Sequence, residues 1–340
     1  MNQQRGFFDE QDRLEKLSKQ GDPLEKLNAT VDWEMFRPPL RRFLKKEPKG
    51  PGGRPPYDYV VMFKVLILQR MYNLSDAQME YQLLDRLSFQ RFLGQGLYGS
   101  VPDEKTIWLF REALIRQNAI EKLFDRFTKH LEAKGLITNQ GSIIDASFVE
   151  VPRQRNSREE NDKIKEGAIP EDWEEDPSKL RQKDTDARWT KKNDQTFYGY
   201  KDHVKVDADS KLIKAYVVTD ASVHDSQALE VLIDRSDRDA DLHADSAYRS
   251  AKIETTLKRR GVRSKIHEKG NRNHPLTKAQ MRRNHAKSRI RARIEHVLAH
   301  ITNSMNGFRI RSIGLRRACG TVGLINLAYN IARSAYLQGA

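Results

Sequence analysis

Cys319 is the only cysteine in 340 residues, so no intrachain disulfide can form and no cysteine-based zinc site exists. Long apolar runs are missing too. The best candidate, YVVMFKVLILQRMY at 59–72, is broken by Lys64 and Gln69, which excludes it as a membrane span. The first residues, MNQQRGFFDEQDRLEKL, contain no apolar signal region, so the reading is a cytoplasmic protein with no membrane partner. Acid is nearly absent from one long stretch: between Asn271 and Cys319, twelve Lys and Arg residues accompany a single acid, Glu295. No internal repeat is evident.

What is present is positive charge. The chain holds 61 Lys plus Arg against 47 Asp plus Glu, a net charge of +14 with a pI near 9.7. Such an excess points to a polyanionic partner, because Lys and Arg displace counterions condensed on nucleic acid. A merely solvated surface would mix the two signs. Two stretches do not, and they supply the candidate DNA contacts. One is Arg41, Arg42, Lys45, Lys46 and Arg54; the other is Arg282, Arg283, Lys287, Arg289 and Arg293. Apolar residues still make up 38% of the chain, enough for a sizeable core.

The pattern along the chain changes once. Residues 1–137 are helical in spacing, with a Pro/Gly-rich basic loop, KKEPKGPGGRPP, before a helix that begins near Tyr57. Ser75 is placed to cap the next helix, and Trp108, Leu109 and Leu114 in a later one suit a core. From Gly141 the alternation is that of strands: 142–151, 197–207 and 211–220, then a helix, a short strand at 241–248, a helix, a strand at VRSKIHE and a long helix over 284–305. This βββ-α-β-α-β-α order predicts an α/β fold, an RNase H-like mixed-sheet core over 138–310. A helical N-terminal region for DNA binding or dimerisation precedes it, and a C-terminal helix follows over 311–340. Between the first two strands lies a polar insertion, 153–195. Its segment Arg158 to Asp176 carries nine acids and three bases, which predicts a mobile loop able to compete with DNA for the basic segment.

Three acids stand where apolar patterning argues against them. Asp145 interrupts the strand IIDASF and shares side-chain parity with Ile143, Ser147 and Val149; a buried carboxylate there needs a cation or strong hydrogen bonds. Asp245 ends a short strand, where ligand sites of α/β sheets collect. Glu295 borders the apolar stripe Ile290, Ile294, Val297, Leu298, Ile301, with Arg291 four residues before it. Each alone has an ordinary reading: a strand-end turn, a helix cap, a surface ion pair. Together, on the first strand, the fourth strand and the last helix of the core, they have the chemistry of a divalent-cation site, since Mg²⁺ prefers oxygen ligands. Lys201 and His203 lie two apart on one strand and read equally as neighbours of that site or as an exposed face. Asp225 reads as a helix cap. His296 and His300 have an i,i+4 spacing that suits zinc, with no third ligand beside them.

At these residues the chain resembles the transposases of the bacterial "insertion sequence five" group, within the four-type DDE superfamily. The likeness runs through GGRPPYDY, MYNLSDAQMEYQLLDRLSFQRFLG, VPDEKTIWLFRE, IIDASFVEVP, YGYKDHVKVD, VVTDASVHDSQAL, HADSAY and IRARIEH. Of the superfamily's signature around the glutamate, Arg291 and Glu295 match, while Ser288 and Thr302 stand where it has Tyr and Lys. The resemblance implies that Asp145, Asp245 and Glu295 are the catalytic carboxylates and bind Mg²⁺ or Mn²⁺, two ions in all. It implies supporting roles for Lys201, His203, Tyr248 and Arg291. The implied activity is cleavage of the inverted repeats at an element's ends and transfer of the 3′-hydroxyls into target DNA, by a homodimer in the bacterial nucleoid. A Mg²⁺ nuclease without strand transfer and a non-catalytic DNA-binding regulator are the two alternatives.

Overall fold

The computed structural model describes residues 9–44, 55–96, 99–192 and 194–339. Within them the chain divides into two compact units, one of Met1–Leu123 with Leu327–Ala340 and one of Phe124–Asn326.

The first unit is helical. Its central helix, α4 (Tyr59–Met71), follows α1 (Asp9–Lys19), α2 (Pro23–Thr30) and α3 (Arg37–Leu44); α5 (Asp76–Asp85), α6 (Leu87–Leu93) and α7 (Glu104–Arg116) come after it. Helix α4 is apolar on nearly every side and buries Val60, Met62, Phe63 and the run Val65–Leu68, as a helix enclosed by others must. An aromatic nest of Trp33, Phe36, Phe63 and Phe92 packs against it, with Trp33 and Phe92 edge to face at 5.3 Å. The Lys64 amine lies over Trp33 and donates to Asn28 Oδ1. Ser75 caps α5 as expected, in a reciprocal capping box with Gln78. Helix α7 departs from expectation. Leu114 is buried, but Trp108 and Leu109 remain 38% and 50% exposed, because the helix packs its Ile107–Leu114 face inward.

The second unit takes in the end of α8 (Ala119–Ala133) and is built on a mixed sheet. Its strands are β1 (Gly141–Glu150), β2 (Arg188–Lys192), β3 (Gln195–Asp207), β4 (Ile213–Asp220), β5 (Asp241–His243) and β6 (Arg263–Ser264). The order is β4-β3-β1-β5-β6, with β2 on the first half of β3. β1, β3 and β4 run antiparallel, while β1, β5 and β6 run parallel. This is the RNase H-like arrangement predicted, with β5 and β6 shorter than expected and β2 an unforeseen strand. Gly199 marks where β3 changes partner. Its φ is +142°, and a Cβ there would lie 2.3 Å from the Val149 carbonyl oxygen, so only glycine fits.

Helices cover both faces of the sheet. On one, α12 (Asp225–Leu232) and α13 (Ala251–Arg259) close a core of Ile144, Leu229, Leu232, Leu242, Tyr248, Ile253 and Leu257. Each fully buried aliphatic side chain here contributes about 1.5–3 kcal/mol. On the other lies α14 (Lys278–Ala299), which starts six residues earlier than predicted because Thr277 and Gln280 form a capping box. The last helix, α15 (Leu315–Gln338), gives this unit its first half, through Asn326.

The insertion is folded, contrary to the mobile loop expected. α9 (Arg158–Lys165), α10 (Glu171–Glu174) and α11 (Pro177–Gln182) enclose Trp173, which is fully buried. The Trp173 indole donates to Glu160 Oε1 at 2.7 Å, and the Lys183 amine stands over its ring at 4.8 Å. The acids pair within the insertion, Asp162 with Lys165 and Asp172 with Lys179. One aromatic residue with cations around it thus replaces the apolar periodicity whose absence suggested mobility.

Candidate functional site

One sheet register and one helix place the three acids along one face of the sheet. The parallel pairing of β1 with β5 matches Ile143 with His243. Continued two residues, it sets Asp145 level with Asp245 on the same face of the sheet. That face is the one packed by α14, from which Arg291 and Glu295 project. The Arg291 guanidinium joins them: Nη1 donates to Asp145 Oδ2 at 3.3 Å and Nη2 to Glu295 Oε1 at 2.6 Å. Asp245 does cap the following turn, accepting from the Ala247 amide at 2.8 Å with Oδ1. The ordinary reading of Asp245 and its place in the cluster are therefore compatible.

The electrostatics are those of a partly desolvated acid cluster. Burial, reinforced by the charge of Asp245, pushes the Asp145 carboxyl up to about 6; the Ala146 amide and Arg291 pull the other way. Tyr248, at the end of the turn after Asp245, is fully buried, and its hydroxyl has no hydrogen-bond partner among the described residues. Burial, with Asp145, Asp225 and Asp245 nearby, pushes that hydroxyl well above its ordinary value. His267 is a neighbour that sequence reasoning missed. Its amide bonds the Ala244 carbonyl, extending the β5–β6 pairing toward Asp245, and burial together with Arg291 and Lys287 lowers its pKa. The available signal was positional: His267 follows β6 as Asp245 follows β5.

Lys201 and His203 are not in this cluster. They pair with Phe148 and Ala146, residues of opposite parity to Asp145, and so face α12 on the other side of the sheet. Both are buried, which excludes the exposed face considered for them. Lys201 Nζ bonds Asp225 Oδ1 at 2.9 Å, so Asp225 holds a lysine while His224 caps the helix. His203 bonds Thr219 Oγ1, and burial lowers its pKa to about 4. Asp202 does share the Asp145 face. It is fully buried against Asn326 and pushed up to about 7 by that burial.

The basic residues divide into committed and uncommitted groups. Arg283 makes a two-pronged contact with Glu268, Lys287 bonds the Ile266 carbonyl, and Arg293 bonds the Ala208 carbonyl and Asp209. Arg282 and Arg289 are exposed on α14, as are Arg41 and Arg42 at the end of α3. Lys45, Lys46 and Arg54 lie outside the described residues. His296 and His300 are exposed.

As donors, three carboxylates on adjacent elements suit a hard divalent cation. As arranged, they do not yet converge on one. Among the described residues no three His, Cys, Asp or Glu side chains lie close enough to share an ion, and Arg291 stands between two of the three acids. Among the described residues no helix is long and apolar enough to cross a membrane.

Two family profiles match the chain. The Transposase DDE domain matches residues 138–331, more than half of the sequence and all of the sheet. A second profile, described as a transposase domain, matches residues 12–113. Among solved structures, a piggyBac transposase synaptic complex with hairpin DNA is similar at 12% identity and a TM-score of 0.46. The match covers 93% of this chain and 76% of that one.

Proposed function

The chain belongs to the Transposase DDE domain family and is a metal-dependent DNA transposase, and from that premise we propose that Asp145, Asp245 and Glu295 are its catalytic carboxylates. The observation that carries this reading is the Arg291 bridge from Asp145 to Glu295, beside a register that sets Asp245 level with Asp145. Acids from β1, the end of β5 and α14 thereby lie along one face, and burial raises the Asp145 carboxyl to about 6, so a neighbouring cation favours its ionised form.

Divalent ions, Mg²⁺ or Mn²⁺ and two in number, held by these three side chains would activate the attacking oxygen and stabilise the leaving one. The chain's own part is to position and to screen. The Ala146 and Ala247 amides fix one oxygen of Asp145 and of Asp245, and the second Asp145 oxygen accepts from Arg291. Tyr248 fills the space behind them and excludes water. Arg282 and Arg289 on α14, with Arg41 and Arg42 in the helical region, would grip phosphates, while Arg283, Lys287 and Arg293 shape the helix through protein contacts. Residues 1–137 would bind DNA ends or pair subunits, 138–310 carry out the chemistry, and 311–340 close the core. The assembly is a homodimer acting on terminal inverted repeats and target DNA in a bacterial nucleoid, and within the superfamily the "insertion sequence five" group fits the motifs best. Lys201 and His203 support the site only from behind the sheet.

The test is cleavage and strand transfer on an element end. Asp145→Asn, Asp245→Asn and Glu295→Gln should each lower both by roughly a thousandfold or more, with circular dichroism and end binding preserved. Any one of them retaining full cleavage removes that residue from the site. Cleavage without joining would make the enzyme a nuclease.

A further inference from the structure

The same guanidinium that gathers the acids occupies the ligand positions a cation would take. Arg291 Nη1 and Nη2 hold one oxygen each of Asp145 and Glu295, and no three acidic side chains among the described residues share an ion site. The bridge is incomplete on the arginine's side: Nε is buried and has no partner among the described residues. A guanidinium has five donors in a fixed fork, so an orphaned Nε marks a side chain held by its two anions and not by a full set of acceptors. The two ends also differ in freedom. Asp145 is anchored through the Ala146 amide, whereas the Glu295 side chain is 57% exposed and turns on the same helix as Arg291.

We propose that Arg291 is the built-in counter-cation of the carboxylate cluster, competing with the divalent metal for Asp145 and Glu295 and released toward a DNA phosphate when the metal enters. This rests on the reading of the three acids as the metal site. A guanidinium and a divalent ion drawn to the same carboxylates repel each other at close range as like charges, so each weakens the hold of the other. A phosphate of bound DNA offers the arginine a bidentate acceptor in exchange. Metal and DNA binding are then coupled through one side chain: without DNA the arginine opposes metal, and with DNA it does not. Arg291 in this role is a positioning residue, acting through the carboxylates.

The experiment is Mn²⁺ binding to the full-length protein, read by the loss of free-Mn²⁺ electron paramagnetic resonance signal, with and without a duplex carrying an element end. Four proteins are compared: wild type, Arg291→Ala, Arg291→Gln and Asp145→Asn. Without DNA, both Arg291 variants should bind Mn²⁺ about tenfold more tightly than wild type, the expected scale for removing one adjacent like charge. DNA should tighten Mn²⁺ binding to wild type and add little for either variant. The Gln variant keeps a hydrogen-bond donor to the carboxylates, so it reports the loss of charge even if Ala loosens the fold. Unchanged or weaker Mn²⁺ binding in folded Arg291 variants overturns the competition. Unchanged Mn²⁺ binding in Asp145→Asn overturns the metal site itself, a separate outcome.

Discussion

Two clusters of charge sit on opposite faces of one sheet, and their difference is instructive. On the α12 side, Lys205 on β3 and Lys214 on β4 meet Asp234 and Asp237. Lys205 Nζ is 2.7 Å from both aspartates, and Ser142 Oγ donates to Asp237 at 2.7 Å. Two cations face two anions, and Lys205, Lys214 and Asp237 are buried. On the α14 side, Arg291 is bonded to only two of three neighbouring acids, and its Nε has no partner among the described residues. Folding alone would favour the first arrangement everywhere, since buried charge is tolerated when fully matched. Persistent mismatch in the second is the mark of a site that expects a ligand.

The first way to break this comparison is to unbalance the matched cluster. Lys205→Met leaves Asp237 buried beside fewer cations. It should cost about 3–5 kcal/mol in urea unfolding, while activity per folded molecule stays near wild type. If stability barely changed, the first cluster would not be structural in the sense argued. The carboxylate variants should do the reverse, losing activity and keeping the fold.

The second sharpens the comparison through pH, where the two clusters have opposite signs. Asp145 is raised to about 6 in the fold, so its ionisation costs stability that is fully present below pH 4 and lost as pH rises through 6. In metal-free buffer, Asp145→Asn should therefore gain about 1–2 kcal/mol at pH 8 and nothing at pH 4. For Asp234, burial raises the pKa, but Lys205 and Ser236 outweigh it and bring the carboxyl down to about 2. Its contribution is present above pH 4 and disappears as pH falls toward 2. Asp234→Asn should thus destabilise at pH 7 and match wild type near pH 2. Parallel pH profiles for the two variants would erase the distinction.

Smallest of the expected effects is the sorting of basic residues on α14. Arg282→Ala and Arg289→Ala together should reduce the log–log salt slope of end binding by up to about 0.9 for each phosphate that is no longer neutralised. Arg283→Ala and Lys287→Ala should change it less, because Glu268 and the Ile266 carbonyl already hold those side chains. Equal slopes for the two pairs would mean that Arg283 and Lys287 leave their protein partners for DNA.

Much of this is readable in the residues. Strand β1 declares itself by alternation with one misplaced acid, and the β3–β4 hairpin by its β-branched runs around Asp209. The α14 stripe predicts Arg291 beside Glu295 as a helical pair. What stays hidden depends on register or on a few isolated side chains. Asp145 reaches Arg291 only because of how β1 lies under α14, and no local pattern encodes that. Lys201 and His203 read as one face, yet which face follows only from their pairing with Phe148 and Ala146. Strand β2, RWTKK, has no apolar period, and the insertion folds around a single tryptophan. Trp108 and Leu109 suit a core by hydrophobicity alone, a criterion blind to which face of their helix is buried.

Anomalous diffraction at the manganese edge, from crystals of the protein with an element end and Mn²⁺, tests the central claim most directly. Anomalous peaks are expected bonded to Asp145 with Asp245 or Glu295, at roughly 2.0–2.2 Å, the distance of oxygen ligands from a small divalent ion. Manganese bound elsewhere, with the three carboxylates free of metal in a complex competent for cleavage, would contradict it.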